Sequence, residues 1–242
     1  MEYDIAEVLE IRDLSKFLSV MQETFEAQIG SQRTFRITGT PVDLGEVEAD
    51  LGNRELQELL EEPPGRQGGW NVSPLRPLRR SSLGFETERP DFHHLKFIKN
   101  GHLEFWTAID DHFSWRQKAA DQKANPLLYP YPVVEYPVSF LRLYRHVADL
   151  LEIKSDCAFQ MEYVNIQGAV LRPYQPESIG YDHTVEGIRP VAKNRLVFPK
   201  KKFPSGFDPD PTAFQLIKDL YFEFGYGLEQ IPFFDSNGHC IL

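Results

Sequence analysis

The sequence predicts an α+β fold, an antiparallel sheet built from hairpins with packed helices, preceded by an acidic, mainly helical segment. Three observations predict it. Helix-period and strand-period runs follow one another without the regular β-α-β alternation of a parallel sheet. The dipeptide Asn100-Gly101 divides two apolar runs in the manner of a hairpin turn. Of the 242 residues, 41% are hydrophobic and 13% aromatic, with 18 Phe and 10 Tyr, which is enough for an aromatic-rich core.

The elements follow in order. Asp13 to Gln28 reads as an amphipathic helix on the stripe Leu14, Phe17, Leu18, Met21 and Phe25, with Asp13 as N-cap and Gly30 as stop. Thr34 to Thr38 is a short β-like run. Asn53 caps a second, acidic helix carrying Leu56, Leu59 and Leu60, which stops at Pro63-Pro64-Gly65. Phe92 to Ile109 reads as a hairpin with strands 92–99 and 102–109 around a two-residue turn. In that register Ile98 faces Leu103 and Phe92 faces Ile109, with Phe97, Leu95 and Trp106 on the opposite face. Pro126 to Pro137, with four prolines, is expected to be an extended strap, and Pro137 to open a helix through Leu151. Cys157–Asn165, Ala169–Pro173 and Leu196–Phe198 read as strands. Asp210-Pro211 is expected to cap a helix through Phe224, lined by Phe214, Ile217, Leu220, Tyr221 and Phe224.

Composition divides the chain into an acidic segment (1–62), a Pro/Gly/Arg-rich linker or loop (63–82) and a main α+β domain (83–242). Residues 1–65 hold 15 acidic and 5 basic side chains, and residues 66–242 hold 21 of each, so the whole net charge of -10 sits in the first quarter. Two stretches of the remainder contain no acid. Arg66, Arg76, Arg79 and Arg80 lie in one, and Arg189, Lys193, Arg195, Lys200, Lys201 and Lys202 in the other. Folded together they would form a phosphate-binding strip. Separately they are solvated loops.

No run approaches the roughly 20 apolar residues of a membrane-spanning helix, and no secretory signal opens the chain, so a cytoplasmic location is expected. The two cysteines, Cys157 and Cys240, are expected to be reduced thiols. There is no Walker loop, dinucleotide-binding glycine motif, serine-hydrolase elbow or HExxH motif. Histidine beside carboxylate occurs at Asp91-His93-His94, His102/Glu104, Asp110-Asp111-His112 and Asp182-His183. Such pairs bind divalent metal or transfer protons when at least three groups converge. The tyrosines from Tyr129 to Tyr136 suit either base stacking or strap packing, and Glu135, if buried, calls for Arg142 or Arg145 as partner.

Four segments occur in one order: Phe97-Ile98-Lys99-Asn100-Gly101-His102-Leu103-Glu104-Phe105-Trp106, Val134-Glu135-Tyr136-Pro137-Val138-Ser139-Phe140-Leu141-Arg142-Leu143-Tyr144-Arg145, Leu171-Arg172-Pro173-Tyr174 and Ile231-Pro232-Phe233-Phe234-Asp235. From about Phe92 to Asp235 the chain resembles the C-terminal region of bacterial proteins that carry a Schlafen-type, Alba-like DNA-binding domain at their N-terminus. In those proteins nucleic-acid binding is attributed to that domain, which residues 1–90 do not resemble. The resemblance implies an accessory module of nucleic-acid-linked or defence machinery and carries over no active-site residue.

The leading expectation is a non-catalytic interaction or regulatory module with a protein partner, no cofactor and only weak nucleic-acid contact. One alternative is a metal-dependent hydrolase or nuclease using Asp110, Asp111, His112, Asp182 and His183. Another is direct nucleic-acid binding through Arg76, Arg79, Arg80, Arg195, Lys200, Lys201 and Lys202.

Overall fold

A computed structural model describes residues 5–64 (backbone only over 5–7), 69–88, 93–114, 125–174 and 190–242. Among these, helices and an antiparallel sheet form the expected α+β fold. The helices are α1 (Ile5–Glu10), α2 (Leu14–Ile29), α3 (Arg54–Glu61), α4 (Ile109–His112), α5 (Pro130–Leu150) and α6 (Pro209–Glu223). The main-sheet strands are β1 (Thr34–Pro41), β2 (Leu78–Arg80), β3 (Gly84–Thr87), β4 (His93–Ile98), β5 (Leu103–Ala108), β7 (Cys157–Val164), β9 (Arg195–Val197) and β10 (Lys201–Phe203). They run in the order β10-β7-β1-β5-β4-β3-β2, with β9 also on β7. Strands β6 (Leu127–Leu128) and β8 (Val170–Leu171) form a separate parallel pair.

The acidic segment is built into the sheet. Strand β1 lies between β5 and β7 at its centre, so the composition break at 63–82 does not divide the sheet. Period-two alternation sends Phe35 and Ile37 into the main core with α3, α5 and α6. It sends Thr34, Arg36 and Thr38 to the other face. There α2 packs through Phe17, Val20 and Met21 near Ile98, and through Phe25 and Ile29 against Trp106. Local chemistry sets the ends of α2. Asp13 accepts from Lys16 N at 2.7 Å, and Gly30 leaves the helix at φ 53°. Asn53 caps α3 through Glu55 N and Leu56 N.

The β4–β5 hairpin forms in a different register from the expected one. Gly101 N donates to Ile98 O and Ile98 N to His102 O, which leaves a three-residue loop closed by Gly101 at φ 84°. This is a type I turn followed by a bulge, the alternative that Gly in the left-handed region also serves. Phe97 therefore pairs with Leu103 and Leu95 with Phe105 on the main-core face, while His94 and Trp106 share the α2 face. The one-residue slip moves Trp106 to the side opposite Phe97. The expected Phe92–Ile109 pair lies outside the described residues.

The proline strap is a helix. Pro130 and Pro132 occupy the first turn of α5, where backbone N–H groups have no helical acceptor to lose. Pro137 lies inside α5, where it removes one helical bond at a cost of about 3 kcal/mol. Burial of Tyr136, Phe140, Leu141 and Tyr144 on the same helix outweighs that loss. Helix α6 begins two residues earlier than expected, with Asp208 as cap and Pro209 first. Asp210 instead accepts both Arg142 Nε (2.9 Å) and Nη2 (2.8 Å), tying α6 to α5. Gly39 lets the layers meet: a Cβ there would lie 2.6 Å from the Tyr144 ring and 2.7 Å from the Phe159 ring.

Candidate functional site

Strand alternation places charges of opposite sign on neighbouring strands of the α2 face. From β9 to β2 the order is Arg195, Glu162, Arg36, Glu104, Lys96, Glu86 and Arg79. Arg36 lies at the centre. Its Nε donates to Glu104 Oε2 at 2.9 Å, and its Nη1 to Glu162 Oε1 at 2.8 Å and Gln22 Oε1 at 2.6 Å. The Phe25 ring covers its guanidinium at 4.4 Å. Burial by itself would raise the Glu104 carboxyl, but Arg36 overrides it and holds the group down to about 2. Glu162 also accepts Arg195 Nη2 at 2.7 Å, and Arg195 reaches Glu26 of α2 at 2.6 Å. The network binds α2 to the sheet, and Glu104 and Glu162 at its centre are buried and not open to a substrate.

Three histidines, His93, His94 and His102, are buried, whereas His146 and His239 are exposed. Burial pushes His93 down to about 3, His94 to about 4 and His102 to about 3, so all three are neutral imidazoles. His94 stacks on Trp106 with ring planes 9° apart, and His102 Nδ1 meets Thr40 Oγ1 at 2.7 Å. The Asp110-Asp111-His112 run forms the short helix α4, which sends the three side chains in different directions. Asp110 meets Arg33 at 3.2 Å, Asp111 is exposed, and His112 Nδ1 lies 2.8 Å from the Tyr136 hydroxyl. Asp91, Asp182 and His183 lie outside the described residues. Among the described residues no group of three or more His, Cys, Asp or Glu side chains is arranged to hold a metal ion.

The two basic stretches occupy opposite edges of the sheet. Arg79 and Arg80 are on β2, with Arg76 exposed just before it, while Arg195, Lys201 and Lys202 are on β9 and β10. Five strands lie between β2 and β10, which at ~4.8 Å per step separates the edges by roughly 30 Å. Internal partners take up several of the charges. Arg79 pairs with Glu86, Arg80 donates to Leu51 O, and Lys201 lies 2.6 Å from Asp219. Arg66 and Arg189 are outside the described residues. Tyr129 and Tyr136 are buried and serve as packing, while Tyr131 touches Phe233 at 4.6 Å and stays 41% exposed. Glu135 accepts from the Trp70 backbone N–H, and Arg142 and Arg145 pair instead with Asp210 and Asp149.

The candidate site that sequence reading missed is a groove of about 580 Å³ beside β9, walled by α6. Lys193, Arg195, Leu196, Val197 and Phe198 line one side, and Asp219, Phe222 and Glu223 the other. Val197 and Phe222 are both 50% exposed, whereas the neighbouring Leu196 and Tyr221 are buried. Lys193 meets Glu223 at 2.9 Å and forms a polar rim. One signal was available in the sequence: Phe222 stands off the buried stripe of its helix. Just past the groove the edge strand bulges. Phe198 N donates to Met161 O while Lys201 pairs with Phe159, so Gln160 faces both Pro199 and Lys200. Gln160 Nε2 donates to Phe198 O at 3.1 Å. Lys200 and Lys202 are exposed and have no carboxylate partner among the described residues.

Comparison of the chain with protein-family models, with curated proteins and with solved structures returns no match.

Proposed function

We propose that this protein is a non-catalytic interaction module that binds a partner protein through the groove between β9 and α6. The observation that carries the reading is the exposed apolar pair Val197 and Phe222, set in a groove with a charged rim at a sheet edge. An apolar centre with a polar rim is the anatomy of a protein interface. The pairing of Arg79, Arg195 and Lys201 with carboxylates of this chain further favours a protein partner over a polyanion. The resemblance of residues 92–235 to regions found beside Alba-like domains supports a setting in nucleic-acid-binding or defence machinery.

A photo-crosslinking residue in place of Phe222, in the full chain inside its native cell, tests the reading. The expected product is a discrete protein adduct that is lost when Val197→Glu is added. Crosslinking mainly to nucleic acid, or no adduct beyond that of the same probe at exposed Leu75, overturns it.

A further inference from the structure

We propose that the groove receives an extended, acidic segment of the partner protein. That segment adds as a short strand to β9, places apolar side chains against Val197 on one face of the edge and Phe222 on the other, and sets a carboxylate against Lys200 and Lys202. This rests on the interaction reading and states what the groove takes.

Three observations converge. The first is main-chain chemistry. Leu196 and Phe198 direct their backbone groups to β7, so those of Arg195 and Val197 point outward, where no described residue meets them. An extended chain supplies the matching N–H and C=O groups, whereas a helix has already used its own. Pro199 has no N–H and lies in the bulge, so addition stops after three residues. Such a short ladder needs side-chain contacts for affinity and specificity.

The second is shape. The groove has room for two or three side chains, and its apolar surface is the exposed Val197 and Phe222 together with Phe198 and Pro199.

The third is charge complementarity. The groove walls are neutralised within the chain by Lys193–Glu223, Lys201–Asp219 and Arg195–Glu162. The surplus along this edge is Lys200 and Lys202, and partial burial and the neighbouring Lys202 both push the Lys200 ammonium down from its ordinary value. A carboxylate relieves that repulsion. A basic segment adds to it, and a nucleic-acid backbone meets Asp219 and Glu223 on the facing wall.

The test is selection of a random 12-residue peptide library displayed on phage against the full chain, counter-selected on V197E/F222E. Enriched sequences are expected to carry Asp or Glu within three residues of an aliphatic or aromatic residue. A synthetic peptide of such a sequence should lose at least tenfold in affinity on K200E/K202E, and at least tenfold when alternate backbone amides are N-methylated. Each variant's thermal midpoint is checked first, and V197S/F222S replaces the glutamate pair if that pair unfolds. Basic enriched peptides, indifference to K200E/K202E or to N-methylation, or no enrichment over the counter-selected protein overturns the proposal. Peptides that bind the groove and ignore charge reversal sink this inference alone. The crosslinking result at Phe222 decides the interaction reading separately.

Discussion

Arg36 of β1 and Glu162 of β7 face each other across the centre of the sheet at 2.8 Å, sealed beneath α2. Glu104 meets the same guanidinium from the other neighbouring strand. One cation therefore serves two buried carboxylates, and its removal strips Glu104 of its salt-bridge partner and leaves Glu162 with Arg195 alone.

Arg36→Met is expected to destabilise the protein by about 3–5 kcal/mol, the cost of an uncompensated buried charge. Urea unfolding measures it. The triple variant R36M/E104Q/E162Q should recover more than half of the loss, because it removes the charges together with their partner. Equal stability of the single and triple variants would show that packing around Arg36, and not its charge, matters.

Acid should weaken the fold in two stages. His93, His94 and His102 are held near 3 to 4 when folded and lie near 6.5 when unfolded. The unfolded state thus binds more protons below pH 6.5. Their contribution is fully present above that pH and is lost as pH falls. Between pH 6.5 and 4 unfolding should take up about three protons, a slope of up to about 4 kcal/mol per pH unit. The Glu104 contribution is present above its unfolded value near 4.5 and is lost as pH falls toward 2. Urea midpoints across pH check both stages, and His94→Phe should lower the first uptake by one proton.

Gly39→Ala is expected to cost about 1–3 kcal/mol, because its Cβ would overlap the Tyr144 and Phe159 rings. Addition of Tyr144→Leu should restore part of the loss. A neutral Gly39→Ala by thermal melting would mean that α5 shifts freely over β1.

Duplex DNA binding should be weak, with a shallow dependence on salt. The basic stretches sit at opposite sheet edges, and Arg79, Arg195 and Lys201 are engaged by carboxylates of this chain. A log–log plot of affinity against salt should have a slope corresponding to about two phosphates or fewer. A slope of six or more would revive a nucleic-acid strip.

Asp111→Ala should leave stability within about 0.5 kcal/mol, since the side chain is exposed. His112→Ala should cost about 1 kcal/mol through loss of its bond to the Tyr136 hydroxyl. Neither change should alter adduct formation at Phe222. Loss of the adduct on Asp111→Ala, with stability intact, would tie α4 to function.

The sequence by itself determined the elements whose ends are set by local chemistry. Asp13 and Gly30 bound α2, and Asn53 starts α3, because a cap needs only the neighbouring N–H groups or a left-handed φ. It also determined the α+β class and the presence of the β4–β5 hairpin, through period-two alternation around a turn. Tertiary structure decided the rest. Asn100-Gly101 suits two loop lengths, and the choice rests on which face of β4 and β5 finds the core. The prolines of α5 read as breakers until burial of Tyr136 and Tyr144 outweighs the bond lost at Pro137. Strands β1, β5 and β7 had to align before Arg36 met carboxylates 68 and 126 residues away. The β9–α6 groove is likewise a product of the fold. It joins residues 20 or more positions apart, and the alternation that makes a strand legible does not say which strand ends at the edge.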